Sequence, residues 1–115
     1  REEVVEELRR RRTLANTPGG YWVLGLDEAC LDHRREAAIP LSRPAHVLLA
    51  TDGFAALCDR YEAYDPAGLI AAALEKGLLA LGQELRAIEE ADADGERHAR
   101  CKKSDDATAL LLRLS

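Results

Sequence analysis

Between Pro66 and Glu90 the apolar positions recur at helical spacing, with Leu69, Ile70, Ala73, Leu74, Leu78, Leu81, Leu85 and Ile88 on one side. A stripe of that period predicts an amphipathic helix that covers a core. Asp65-Pro66 supplies its start, the carboxylate as cap and the proline in the first turn, where no amide hydrogen is needed. The helix is expected to run to about Glu90, weakened at Gly77 and Gly82, which mark close packing or a small kink. Apolar runs of strand length flank it. His46-Val47-Leu48-Leu49-Ala50-Thr51 is nearly continuous, which predicts a strand buried on both faces. It stops at Asp52-Gly53, and a short helix from Phe54 to Arg60 is expected directly afterwards. Ala107 to Leu114 predicts a terminal strand, preceded by Ser104-Asp105-Asp106.

The first third of the chain alternates differently. Residues 2–14 place Val4, Val5, Leu8 and Arg12 on one side of a helix and charges elsewhere. Asn16-Thr17-Pro18-Gly19-Gly20 ends it, and Tyr21 to Leu26 reads as a strand by its aromatic and β-branched content. Asp27 to His33 reads as a turn or a single helical turn, and Glu36 to Leu41 as a short strand that Pro40 and Pro44 confine to an edge. Ala91 to Glu96 is expected to be a solvated acidic loop, since Asp92-x-Asp94-Gly95 lacks the further ligands of a calcium loop. Arg97 to Lys103 is a basic connector. The expected fold is α+β: an antiparallel sheet of about four strands packed with helices, in one domain spanning residues 1–115.

Composition narrows the partners. The net charge of −5 does not invite nucleic acid, and no apolar run approaches the ~20 residues that span a bilayer. Arg9-Arg10-Arg11-Arg12 reads as a solvated helix end, with Glu6 and Glu7 one turn earlier to pair with it. Cys30, Cys58 and Cys101 are odd in number and form no C-x-x-C pair, which argues against a disulfide framework or structural zinc and for a reducing, cytoplasmic setting. Cys58 is expected to be buried and inert, whereas Cys30 and Cys101 flank loops. His33, His46 and His98 are scattered, and nothing forms a Ser-His-Asp or Cys-His set. Trp22 and Tyr21 read as core or strand-face residues. The chain opens on a charged helical pattern without methionine, so no signal peptide is expected and an upstream segment is expected to be missing.

The chemistry gathers at two acidic corners. Asp52 ends one buried strand and Asp105 precedes another. Antiparallel neighbours bring the end of one strand beside the start of the next, so both carboxylates would meet at one sheet edge and could share a divalent cation. A parallel crossover through the helix would instead leave them at opposite ends of the sheet, ~17 Å apart. The plainer readings are a helix cap for Asp52 and a solvated loop carboxylate for Asp105.

Leu48-Leu49-Ala50-Thr51-Asp52-Gly53-Phe54 and Ser104-Asp105-Asp106-Ala107-Thr108 resemble, in order and with the intervening helix, two motifs from the C-terminal half of bacterial type 2C protein phosphatases. Asn16 to Leu24 is similar to the corresponding region of a divergent bacterial subgroup. The resemblance implies half of an αββα sandwich, with Asp52 and Asp105 as ligands of Mg²⁺ or Mn²⁺. It implies that Gly53 lets the backbone pass close to the site, that Asp106 (where the family usually has asparagine) hydrogen-bonds locally, and that Thr108 supports the corner. The implied activity is hydrolysis of phosphoserine or phosphothreonine in proteins by a metal-activated water. The family's earlier motifs have no counterpart, and no Asp-Gly-x-Gly-Gly is present. The chain is therefore expected to be inactive alone and to partner the missing N-terminal half or a second copy. The rival expectation is a non-catalytic interaction or regulatory module on the same scaffold.

Overall fold

The computed structural model describes residues 2–100 and 102–115, so Cys101 lies outside the described residues. The chain divides into two compact units, Arg1–Pro40 and Leu41–Ser115. No described helix is long and apolar enough to cross a membrane.

In the first unit, helix α1 (Glu2–Arg12) buries none of its residues, and its stripe of Val4, Val5 and Leu8 is exposed. Its arginine-rich end is solvated as expected, with Glu7 accepting from both Arg10 and Arg11 at 2.8 Å. Tyr21 to Leu26 forms no strand. Tyr21 makes one isolated bridge to Ala15, and the Val23 N–H goes to the Asn16 side chain at 2.8 Å. Glu36 to Leu41 has no regular structure either. Both segments have strand composition but no neighbouring strand to complete their hydrogen bonds, and a strand exists only through its partner. Glu28–His33 forms a short 3₁₀ helix capped by Asp27. It carries Cys30, the one buried residue described in this unit, and His33, whose ring stacks on half-buried Trp22 at 3.7 Å.

In the second unit, β1 (Ala45–Ala50) pairs antiparallel with β2 (Ala109–Leu114), from Ala45 opposite Leu114 to Ala50 opposite Ala109. Among the described residues the sheet has two strands rather than about four, and the parallel crossover is excluded. The fold is thus α+β, with the core on one side of the sheet. Helices α2 (Asp52–Asp59), α3 (Pro66–Lys76) and α4 (Leu78–Ala91) surround Phe54, Leu57, Leu69, Leu81 and Leu85, against which Leu48, Ala109 and Leu111 pack from the sheet.

The expected single helix is two helices, broken at Gly77. Its φ of +85° is open to glycine and costly for other residues. The break lets two successive apolar faces turn onto the same core, contributing Leu69 and Ala73 from α3 and Leu81 and Leu85 from α4. Lys76 and Glu84 pair across it, and Tyr64 donates to Glu84 at 2.5 Å. Gly82 lies within α4 without interrupting it. The start is as read: the Asp65 carboxylate accepts the Gly68 N–H at 2.6 Å and Pro66 opens the helix.

β1 is not buried on both faces. Leu48 faces the helices, whereas Leu49 and its partner Leu110 are 53% and 54% exposed. Alternation puts Val47 and Leu112 on that same outer face, so the sheet carries apolar side chains on both sides and helices on one.

Candidate functional site

The site grows from the last paired residues of the sheet. Beyond Ala50–Ala109, the Thr51 N–H donates to the Thr108 carbonyl and the Thr108 N–H donates to the Thr51 hydroxyl, both at 3.0 Å. Thr51 precedes α2 as its capping residue, yet its hydroxyl makes no cap bond. It closes the ladder instead. One step further, Gly53 passes against the start of the other strand: a Cβ there would lie 2.1 Å from the Asp106 carbonyl oxygen and 3.3 Å from Asp105 Cβ. The close approach expected at Gly53 is therefore real, and no larger residue fits without displacing backbone.

Asp52 and Asp105 are brought to this one edge of the sheet. Asp52 is the first residue of α2, and its Oδ1 accepts the Gly53 N–H at 2.9 Å. Asp105 Oδ1 accepts the Asp106 N–H at 2.9 Å and the Lys102 ammonium. The Oδ2 atom of each has no hydrogen-bond partner among the described residues. Asp105 is set in place from behind: Arg86 donates to its carbonyl at 2.9 Å and to buried Glu89 at 2.6 Å. Asp106 engages here through its backbone N–H, and its carboxylate makes no hydrogen bond among the described residues.

The field at this corner favours cations. The Lys102 hydrogen bond holds the Asp105 carboxyl below its usual range, helped by the Asp106 amide and the charge of Arg60. Lys102 is pushed upward mainly by Asp105, with Asp106 and Asp52 adding to the attraction. Lys102 thus bonds one carboxylate, that of Asp105, and feels the charges of two more. Carboxylate oxygens suit Mg²⁺ or Mn²⁺ in kind. They fall short in number: among the described residues no three His, Cys, Asp or Glu side chains gather around one point, and Mg²⁺ takes about six oxygens. The residues fit part of a coordination shell, to be completed by water or by another chain segment.

Sequence reading missed the clamp beside this corner. Asp92 is not a solvated loop residue. Its carboxylate accepts the Arg97 and His98 N–H groups at 3.0 Å and pairs with Arg100 at 2.8 Å, with both side chains under a tenth exposed. The Arg97 amide foremost, with the His98 amide and the Arg100 guanidinium, lowers the Asp92 pKa to about 2. Arg100 also donates to the Glu89 and Asp92 carbonyls, which pins the connector to the end of α4. The acidic-then-basic order of residues 92–100 was the available signal, but it does not say which charges turn inward. Among the cysteines, Cys30 is buried, while Cys58 is half-buried rather than fully buried and its thiol is pushed up chiefly by that burial.

No family model, curated protein or solved structure matches the chain.

Proposed function

We propose that this chain is half of a metal-dependent phosphatase domain of the type 2C kind, acting on phosphoserine or phosphothreonine in proteins. The observation that carries the reading is the antiparallel register, which brings Asp52 and Asp105 to the same sheet edge, each with one carboxylate oxygen that makes no hydrogen bond among the described residues. The uncovered outer face supports the half-sandwich: Val47, Leu49, Leu110 and Leu112 suit burial under a second sheet supplied by the missing half or by another copy. The free thiols of Cys30 and Cys58 agree with a cytoplasmic setting.

In this reading Asp52 and Asp105 hold Mg²⁺ or Mn²⁺, which when bound supplies an activated water and positive charge for phosphomonoester hydrolysis. Gly53 admits the second strand to the site, Thr51 locks the strand ends, and Arg86 fixes the Asp105 backbone. Lys102 must yield Asp105 when the cation enters, since both need the same carboxylate.

Titration calorimetry with Mn²⁺ tests this. Weak binding is expected, lost in Asp52→Asn and in Asp105→Asn and strengthened in Lys102→Ala. Absence of binding even in Lys102→Ala overturns the shared cation. That outcome favours a second reading, which the Lys102–Asp105 pair itself suggests: a non-catalytic interaction module whose acidic corner is neutralised by its own lysine.

A further inference from the structure

The first unit holds a cavity of about 730 Å³, a size that suits a small organic ligand. Tyr21, Trp22, Cys30, His33, Arg34 and Arg35 line it. Its walls follow from local structure. The Asn16 side chain accepts the Val23 N–H at 2.8 Å, which ties down the segment after Tyr21. Asp27 accepts the Ala29 N–H at 3.0 Å and opens the 3₁₀ helix. Residues three apart share a face of such a helix, so Cys30 and His33 fall on one side. Cys30 is buried, its thiol 4.0 Å from the Gly25 carbonyl oxygen. His33 stays exposed and lays its ring on the Trp22 indole, 3.7 Å between centroids and 6° from parallel. The indole covers one face of the imidazole, and the exposure that remains lies on its edges and its other face.

The lining is cationic in an acidic chain. The net charge is −5, yet two arginines line this cavity and, among the described residues, no carboxylate does. Arg34 is partly committed, since its guanidinium donates to the Leu31 carbonyl at 3.3 Å and pairs with exposed Glu36. Arg35 makes no ion pair among the described residues. A guanidinium offers phosphate oxygens a planar fork of N–H donors, and a flat aromatic face takes a base by stacking. The charge of the whole chain opposes a long polyanion. A single nucleotide meets chiefly the local field, because salt screens exposed charges beyond about 10 Å.

We propose that this cavity binds a mononucleotide, its base stacked on the His33–Trp22 pair and its phosphate held by Arg35 with help from Arg34. The site is independent of the phosphatase reading, since none of its residues belongs to the acidic corner.

The test is nuclear magnetic resonance on the ¹⁵N-labelled full chain, titrated with adenosine monophosphate in the presence of a chelator. The chain has one tryptophan, so its indole N–H is a single reporter beside the His33 ring. Saturable upfield shifts of the His33 ring protons and of the Trp22 indole N–H are expected in the millimolar range. Adenosine and ribose 5-phosphate should each bind about tenfold or more weakly, one lacking the phosphate and the other the base. Arg35 is exposed, so Arg35→Glu should leave the Val23 amide in place, weaken the nucleotide about tenfold and leave adenosine unchanged. Asp105→Asn should change nothing. The absence of a saturable response overturns the site. Equal responses to the nucleotide and ribose 5-phosphate overturn the stacking, and a response unchanged in Arg35→Glu overturns the phosphate contact. A response lost in Asp105→Asn places binding at the acidic corner and overturns the proposal.

Discussion

Arg1–Pro40 and Leu41–Ser115 both contain an amphipathic helix rich in salt-bridging charges, yet α1 buries nothing whereas α4 buries Leu81 and Leu85 completely. The difference is in what each stripe meets. α4 lies against α2 and α3, and a sheet whose strands are separated by most of this unit closes the core. The first unit draws on contacts near in sequence: ion pairs within α1, the Asn16–Val23 bond, and the Trp22–His33 stack. An apolar stripe is a capacity to be buried, and it contributes stability only where a second apolar surface removes it from water. The acidic corner stands in the unit whose two strands are locked together, where two carboxylates can be held in a fixed relation.

The contrast can be broken most directly in the core. Leu85→Ala should cost about 2–5 kcal/mol of unfolding free energy in denaturant titration. Val4→Ala, on the exposed stripe of α1, should stay within about 0.5 kcal/mol. Equal effects would mean that α1 has a partner surface in solution. Next in size is Gly53→Ala, where the new methyl meets the Asp106 carbonyl. It should cost about 1–3 kcal/mol and shift the amide resonances of Thr51 and Thr108, a pair that a purely local change would leave alone. The smallest effect concerns the Asp92 clamp. Its carboxyl is held down at about 2, below the ordinary value near ~3.9, so its contribution is fully present above the ordinary value and is lost as pH falls toward the lowered one. Hydrogen-exchange protection of the Arg97 and His98 amides should therefore persist at pH ~5 and fade on acidification through that window. In Arg100→Gln the fading should begin at higher pH, because one of the groups holding the carboxylate ionised is gone.

Much of the second unit was legible in order. The Asp65-Pro66 start, the Leu81 and Leu85 stripe, the strand from His46 and the strand through Leu111 all stand where periodicity and capping chemistry put them. These signals are local, carried by residues within one or two turns of each other. The two N-terminal strands failed for a reason equally physical: Tyr21–Leu26 and Glu36–Leu41 have strand-like composition, but pairing is a property of two segments. Gly77 announced a weakness, and only the packing of α3 and α4 onto one core made that weakness a break.

Sequence by itself marked the candidate residues and the element that orders them: the aspartates at the two strand ends, the glycine between them, and the helix that must cover a core. Tertiary structure decided that the strands run antiparallel, that Asp52 and Asp105 share an edge, that Lys102 answers their charge, and that Asp92 and Arg100 turn inward to pin the connector. The division follows the range of the forces. Helix and cap preferences act over a few residues and are written along the chain, whereas the meeting of distant carboxylates depends on which of several possible pairings buries the most apolar surface at once.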